Sequence, residues 1–160
     1  MNVPILITSR LVQALSMNNI LPEQYGPAYS GESAGLDLYN ASDETWVIGP
    51  NSGRVLIPTG LHIAVPVGHV ALLFQRGSIV KTPLVHRAGV IDVAFSGEIF
   101  VNLAPLGDRE HWINPNDKLP VQLVVVPCLN KFTSVTAEQY QEIVSQSLRG
   151  AGQVGSSDRV

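Results

Sequence analysis

The sequence predicts an all-β fold, and three observations carry that expectation. Its 14 glycines and 11 prolines are spread along the chain, short runs of β-type residues recur between turn signals, and no helical crossover separates consecutive runs. A parallel doubly wound sheet requires those crossovers, so the spacing points to a sandwich, jelly roll or barrel. At 160 residues, 45% of them hydrophobic, the chain is long enough to bury one core and short for two.

Taken in order, the expected strands are Ile5–Thr8, Gly35–Tyr39, Thr45–Ile48, Arg54–Pro58, Leu61–Val65, Val70–Phe74, Val90–Val93, Glu98–Leu103 and Leu119–Val126. Turn chemistry separates them at Pro50-Asn51-Ser52-Gly53, Pro66-Val67-Gly68-His69 and Pro105-Leu106-Gly107-Asp108, where Pro presets φ and Gly or Asn permits φ > 0. One helix is expected near the end. Thr136-Ala137-Glu138-Gln139 has capping-box spacing, and Tyr140, Ile143, Val144 and Leu148 follow at helical period, with Gly150 as the stop. The stretch from Arg149 to Val160 is rich in Gly and Ser and reads as a tail.

A net charge of -3 gives no sequence-independent attraction to a polyanion, so coating of DNA or RNA is not expected. A small anionic ligand needs only a few placed arginines. The single cysteine, Cys128, follows an apolar run and reads as a small hydrophobe, and one cysteine forms no intramolecular disulfide. The N-terminus lacks the pattern of a signal peptide, and no stretch approaches the roughly 20 apolar residues of a membrane span. The expectation is a soluble, cytoplasmic protein with no membrane partner.

Three segments are candidates for chemistry. In Ala88–Ile99 two glycines, Gly89 and Gly97, bracket an apolar run that carries Asp92. That pattern reads as a hairpin with an acid at its tip. Main-chain groups there could meet the edge of a planar ligand while Asp92 acts on a water, and the alternative is a solvated turn aspartate. Arg76-Gly77-Ser78 follows the strand Val70–Phe74, where an arginine, a pliable backbone and a hydroxyl grip phosphate oxygens or remain solvated, as Lys81 and Arg87 nearby also can. The tail Arg149–Ser157 is a glycine-rich cradle, though not a P-loop, since neither the Gly-Lys-Ser/Thr element nor the preceding strand is present. His62, His69, His86 and His111 form no close metal-ligand pair, and no Gly-x-Ser-x-Gly elbow seeds a serine triad.

Together and in order, these segments resemble the five motifs of the trimeric dUTPase family, from about Leu21 to Ser157. Ser33-Ala34-Gly35-Leu36-Asp37-Leu38 resembles the first motif, with Ile57-Pro58-Thr59-Gly60-Leu61 similar to the strand that follows it. Arg76-Gly77-Ser78 resembles the second, and Ala88-Gly89-Val90-Ile91-Asp92 with Gly97-Glu98 the third. Lys118–Leu123, carrying Gln122, resembles the fourth, and Arg149-Gly150-x-Gly152 with Gly155-Ser156-Ser157 the fifth.

The resemblance implies a β-barrel or jelly-roll subunit covering residues 1–148. It also implies an arm of residues 149–160 that closes over a neighbour's site in a homotrimer. The implied reaction is Mg²⁺-assisted hydrolysis of dUTP to dUMP and pyrophosphate, which keeps uracil out of DNA and supplies dUMP for thymidylate synthesis. Asp92 is implied to orient the attacking water. Gly89, Val90, Ile91 and Phe95 would read uracil and deoxyribose, and Asp37 would support the water-coordinated Mg²⁺ on the triphosphate. Arg76, Gly77, Ser78, Gln122 and Arg149 become phosphate contacts, with Gly152, Val154, Gly155 and Ser156 forming the closing arm. A viral chain would work in the host cytoplasm.

Four positions depart from the pattern. Phe95 stands where a tyrosine is usual, Val154 where the arm usually offers a phenylalanine, with Gln153 in place of a glycine, Gly77-Ser78 inverts the usual order, and Lys118 replaces an aspartate ahead of Pro120. The rival readings are a dCTP deaminase or dual dCTP-dUTP pyrophosphatase and a non-catalytic regulatory trimer. Deamination needs a glutamate in the strand after the third motif, which here reads Phe100-Val101-Asn102-Leu103-Ala104-Pro105.

Overall fold

A computed structural model of the chain describes Tyr25, residues 32–129 and residues 131–146. The strands are β1 Leu36–Tyr39, β2 Trp46–Ile48, β3 Val55–Pro58, β4 His69–Gln75, β5 Leu84–His86, β6 Val90–Ile91, β7 Phe100–Pro105, β8 His111–Ile113 and β9 Lys118–Pro127. They form three antiparallel sheets, ordered β1-β9-β4-β6, β2-β8 and β3-β7-β5. Helix α1, Ala137–Ser145, belongs to a second unit that begins at Asn130 and is described by itself.

Period-2 alternation puts Leu36 and Leu38 of β1, Ala71 and Leu73 of β4, and Val101 and Leu103 of β7 into one buried cluster. Two buried polar side chains brace it. Asn40 donates through Nδ2 to the carbonyls of Glu44 and Asn114, each at 3.0 Å, and its Oδ1 accepts from the Ser42 amide and hydroxyl. The Thr59 hydroxyl donates to the Ile99 carbonyl at 2.7 Å and accepts from the Leu61 N–H at 3.2 Å. With its hydrogen bonds made, neither group leaves an orphaned dipole in the core.

The structure corrects several expectations. Leu61–Val65 is not a strand: the Thr59 side chain takes the Leu61 N–H that a ladder would use, and the Leu61 carbonyl accepts from Ile99 N–H at 2.8 Å outside any ladder. β7 starts at Phe100 rather than Glu98, because the Glu98 carboxylate turns back to accept the Gly60 N–H at 2.7 Å. The segment around Asp92 is not a ladder-paired hairpin. β6 pairs with β4 and β7 with β3 and β5, so Asp92–Ile99 is a crossover between two sheets. β6 accordingly ends at Ile91 instead of Val93. β5 and β8 are additional strands.

α1 has the expected capping box, with Thr136 Oγ1 accepting from the Gln139 N–H and Gln139 Oε1 accepting from the Thr136 N–H at 2.9 Å. It ends at Ser145, whose hydroxyl bonds back to the Glu142 carbonyl at 2.7 Å, before the expected stop at Gly150. Ile5–Thr8, Leu148, Gly150 and the whole arm lie outside the described residues.

Candidate active site

Three of the sequence motifs meet at one end of the four-stranded sheet. Asp37 on β1 pairs with Gln122 on β9, and Gln122 pairs with Phe74 on β4, two residues before Arg76. Gly35 leaves room for the Gln122 side chain, whose Oε1 lies 2.5 Å from where a Cβ would stand. Arg76 Nε contacts Asp37 Oδ1 at 2.6 Å, and Lys118 Nζ contacts Oδ2 at 3.1 Å. Arg76 Nη1 donates to Ser78 Oγ and to the Leu119 carbonyl, both at 3.3 Å, while its backbone N–H donates to the Pro120 carbonyl at 3.0 Å. Two cations on one carboxylate leave the cluster with a net positive charge, the sign an oligophosphate needs.

The reach of Lys118 comes from a bulge. Across two residues of β1, from Asp37 to Tyr39, β9 runs four, from Gln122 back to Lys118. Pro120, which has no N–H to give a ladder, sits in the irregular stretch. Leu119, Pro120 and Val121 are all buried, so the usual alternation is broken there. Asp37 holds the Lys118 ammonium above its usual pKa, and the same ammonium lies 5.5 Å from the Tyr39 ring centroid.

The third motif lies on the edge strand β6, which pairs with β4. Ala88 has φ 67° and Gly89 φ 138°, a path that needs glycine at the second position because a Cβ would meet Leu73 Cβ at 2.5 Å. The Gly89 carbonyl accepts the Leu73 N–H at 2.8 Å, which fastens Val90 and Ile91 to β4. A cleft of about 230 Å³ opens beside it, lined by Leu73, Gly89, Val90, Ile91, Phe95, Glu98, Ile99 and Phe100. Its far wall is anchored by Glu98 on the Gly60 N–H and by His62 Nδ1 near the Ser96 carbonyl at 3.1 Å. Asp92 opens the crossover and is exposed, its carbonyl accepting the Phe95 N–H at 3.1 Å.

Asp37, Arg76, Ser78 and Gln122 are therefore brought together, as are Gly89, Val90, Ile91, Asp92 and Phe95, but the two groups lie apart: Arg76 follows β4, the strand that pairs with β6, at the end away from Asp92. Arg76 lies five residues past Ala71, the β4 partner of Ile91, a run of roughly 16 Å at about 3.3 Å per residue. Gly77 is exposed beside the first group. Arg149, Gly152, Val154, Gly155 and Ser156 lie outside the described residues. The sequence marks Lys118 as a departure from the motif without its ion pair, and His86 only as one of four histidines that form no metal-ligand pair. His86 Nε2 is buried without a hydrogen-bond partner among the described residues, and burial pushes its pKa below the usual value.

Fold and site together define an antiparallel jelly-roll protein with a cationic cluster at one end of the four-stranded sheet and a cleft of nucleobase size beside its edge strand β6. The dUTPase family model matches residues 25–158. A deoxyuridine 5'-triphosphate nucleotidohydrolase of Syntrophotalea carbinolica is 32% identical, covering 72% of this chain and 80% of that one. The Burkholderia thailandensis protein of the same name is 34% identical, covering 84% and 90%. Among solved structures, a mutant dUTPase from phage phi11 of S. aureus, which reveals the coordination of a structural Mg(II) ion, superposes with a TM-score of 0.60 at 26% identity, over 69% of this chain and 88% of that one. A Staphylococcus bacteriophage 80alpha dUTPase shares the fold with a TM-score of 0.66 at 23% identity, over 81% and 89%. The chain belongs to the dUTPase family.

Proposed function

We propose that this chain hydrolyses dUTP to dUMP and pyrophosphate by attack of a water on the α-phosphorus. The observation that carries the reading is the Ala88–Gly89 turn. It bonds the Gly89 carbonyl to Leu73, shapes a cleft of about 230 Å³ and leaves Asp92 exposed where the next segment begins. Uracil shows an acceptor–donor–acceptor edge, so fixed main-chain groups from Gly89 to Phe95 suffice to select it. Phe95, whose ring packs beside Gly97, is the wall against deoxyribose.

In this reading Asp92 accepts a hydrogen bond from the water and aims its oxygen at the α-phosphorus. The bond from that phosphorus to the bridging oxygen breaks, and pyrophosphate leaves without a covalent intermediate. Arg76, Ser78, Gln122 and the arm residue Arg149 hold phosphate oxygens and meet the charge that develops on the leaving group.

Mg²⁺ fits this donor set in one form. No cluster of three or more His, Cys, Asp or Glu able to cage an ion is found among the described residues, and Asp37 is a single carboxylate beside two cations. That suits an ion held mainly by the triphosphate and water, with Asp37 as outer support. When bound, it neutralises phosphate charge.

The separation of the two residue groups along β4 and β6 supports a site completed by another copy of the chain in a homotrimer, with residues 149–160 as the closing arm. A cytoplasmic location is part of the same reading; among the described residues no helix is long and apolar enough to cross a membrane. The experiment is to incubate the protein with each dNTP and Mg²⁺ and quantify pyrophosphate, monophosphate and ammonia. Pyrophosphate and dUMP from dUTP alone are expected. Ammonia from dCTP would establish the deaminase instead, and no turnover of any dNTP would leave a binding protein.

A further inference from the structure

We infer that Lys118 is a positioning residue for the phosphate-binding end of the site: it holds the Asp37 carboxylate against Arg76 and thereby sets the direction of the guanidinium. The inference rests on the proposed reading that Arg76 meets phosphate. It goes beyond that reading in giving a role to a side chain that touches no substrate atom.

The geometry is that of a carboxylate with both oxygens engaged. Arg76 Nε is 2.6 Å from Oδ1 and Lys118 Nζ 3.1 Å from Oδ2, and the Asp37 side chain is only 12% exposed. A carboxylate held by one partner can still rotate about χ2, which is a broad, roughly two-fold torsion. A second cation on the other oxygen removes that freedom and points Oδ1 at Nε. Arg76 is then fixed from three sides, by Asp37 at Nε and by Ser78 Oγ and the Leu119 carbonyl at Nη1. In this reading the guanidinium so fixed presents its remaining N–H donors to an incoming oxyanion.

Lys118 is itself placed by structure that is independent of Asp37. The bulge shifts the register so that Lys118 faces Tyr39, and the ammonium lies 5.5 Å from the Tyr39 ring centroid. Tyr39 packs edge-on against the buried Tyr25, with ring centroids 5.3 Å apart. The lysine is thus pinned from below by an aromatic pair and from the side by a bulge, and it transmits that placement through Asp37 to Arg76.

The test uses the full chain and measures equilibrium binding of α,β-imido-dUTP and of dUMP to five proteins: wild type, Lys118→Gln, Lys118→Arg, Asp37→Asn and the double variant Asp37→Asn/Lys118→Gln. For a partly exposed pair acting through one intermediary, Lys118→Gln should weaken α,β-imido-dUTP binding roughly three- to tenfold. Binding of dUMP should stay within about twofold of wild type, since the base end is untouched. Lys118→Arg should recover most of the loss, and Lys118→Gln should have no further effect once Asp37 is Asn. An equal loss for both ligands would make the lysine merely structural and overturn the inference. So would an unchanged triphosphate affinity, or a full Lys118→Gln effect in the Asp37→Asn background, which would mean that the ammonium meets phosphate itself. Failure of the proposed function is seen separately, as a wild-type protein that binds α,β-imido-dUTP but does not turn over dUTP.

Discussion

Gly89→Ala should damage this protein far more than a methyl group elsewhere, and the structure sets the size of the effect. The added Cβ would lie 2.5 Å from Leu73 Cβ and 3.1 Å from Leu73 Cγ, with His86 Cε1 at 3.3 Å. Carbon atoms prefer about 3.5–4.0 Å, so the first contact is short by about 1.0–1.5 Å. Overpacking of that kind costs about 1–3 kcal/mol, and holding an L-residue at φ 138° adds about 1–3 kcal/mol. The sum is about 2–6 kcal/mol. Gly53 provides the control. It also has positive φ, 66°, but a Cβ there meets nothing within 4 Å, so Gly53→Ala should cost only the left-handed backbone term of about 1–2 kcal/mol. Urea unfolding of the two variants reads the difference, with dUTP turnover measured in parallel. Gly89→Ala should unfold at clearly lower urea and lose at least about tenfold in kcat/KM, since each 1.36 kcal/mol lost at the transition state is tenfold. If the two variants unfold together and Gly89→Ala turns over normally, the close approach of β6 to Leu73 does not shape the cleft.

Arg76→Lys should leave the fold nearly intact and lower kcat/KM for dUTP at least about tenfold, because an ammonium cannot replace the fork that meets Asp37, Ser78 and the Leu119 carbonyl at once; unchanged kinetics would remove Arg76 from the site. Tyr25→Phe deletes the hydroxyl that donates to the Thr59 carbonyl and should destabilise by about 1–3 kcal/mol in urea unfolding. Burial raises the Tyr25 pKa in the folded protein, so its neutral form is favoured there; its contribution is complete below the ordinary value near 10, and is lost as pH rises from there toward the folded pKa, a decline that Tyr25→Phe should lessen. Burial lowers the His86 pKa, so its contribution is present above the ordinary value near 6.5 and is lost as pH falls below it toward the folded pKa; urea midpoints from pH 7.5 to 5 should drop less steeply in His86→Asn.

The parts of the fold that the sequence made legible are those whose signal is local. β4 and β9 were found because long apolar runs bounded by turn residues need no knowledge of their partners, and the capping box of α1 is written within four residues. β5 and β8 have three residues each, and β8 is defined by pairing with β2, which lies more than sixty residues earlier in the chain. No periodicity exists in three residues. Leu61–Val65 failed for the opposite reason: Leu61 and Val65 are buried, as in a strand, but the Thr59 hydroxyl has taken the backbone donor.

At the site the same division holds. Gly89 and Asp92 stood out by residue type, since a glycine at an apolar strand start and a carboxylate in an apolar run are both conspicuous. The glycine-bracketed segment still gave the wrong topology, because β6 turns back onto β4 rather than onto β7. The Asp37–Arg76–Lys118 cluster joins β1, the residue after β4 and the start of β9, and depends on a bulge between Lys118 and Gln122. Nothing in the local sequence of Lys118 announces that its ammonium reaches a carboxylate on another strand.

The central claim is that a water held by Asp92 attacks the α-phosphorus of dUTP. Hydrolysis in H₂¹⁸O, with mass analysis of both products for the wild type and Asp92→Asn, tests it most directly. The label should appear in dUMP and not in pyrophosphate, and Asp92→Asn should abolish product formation. Label in pyrophosphate, or an Asp92→Asn variant that turns over at the wild-type rate, would contradict the account.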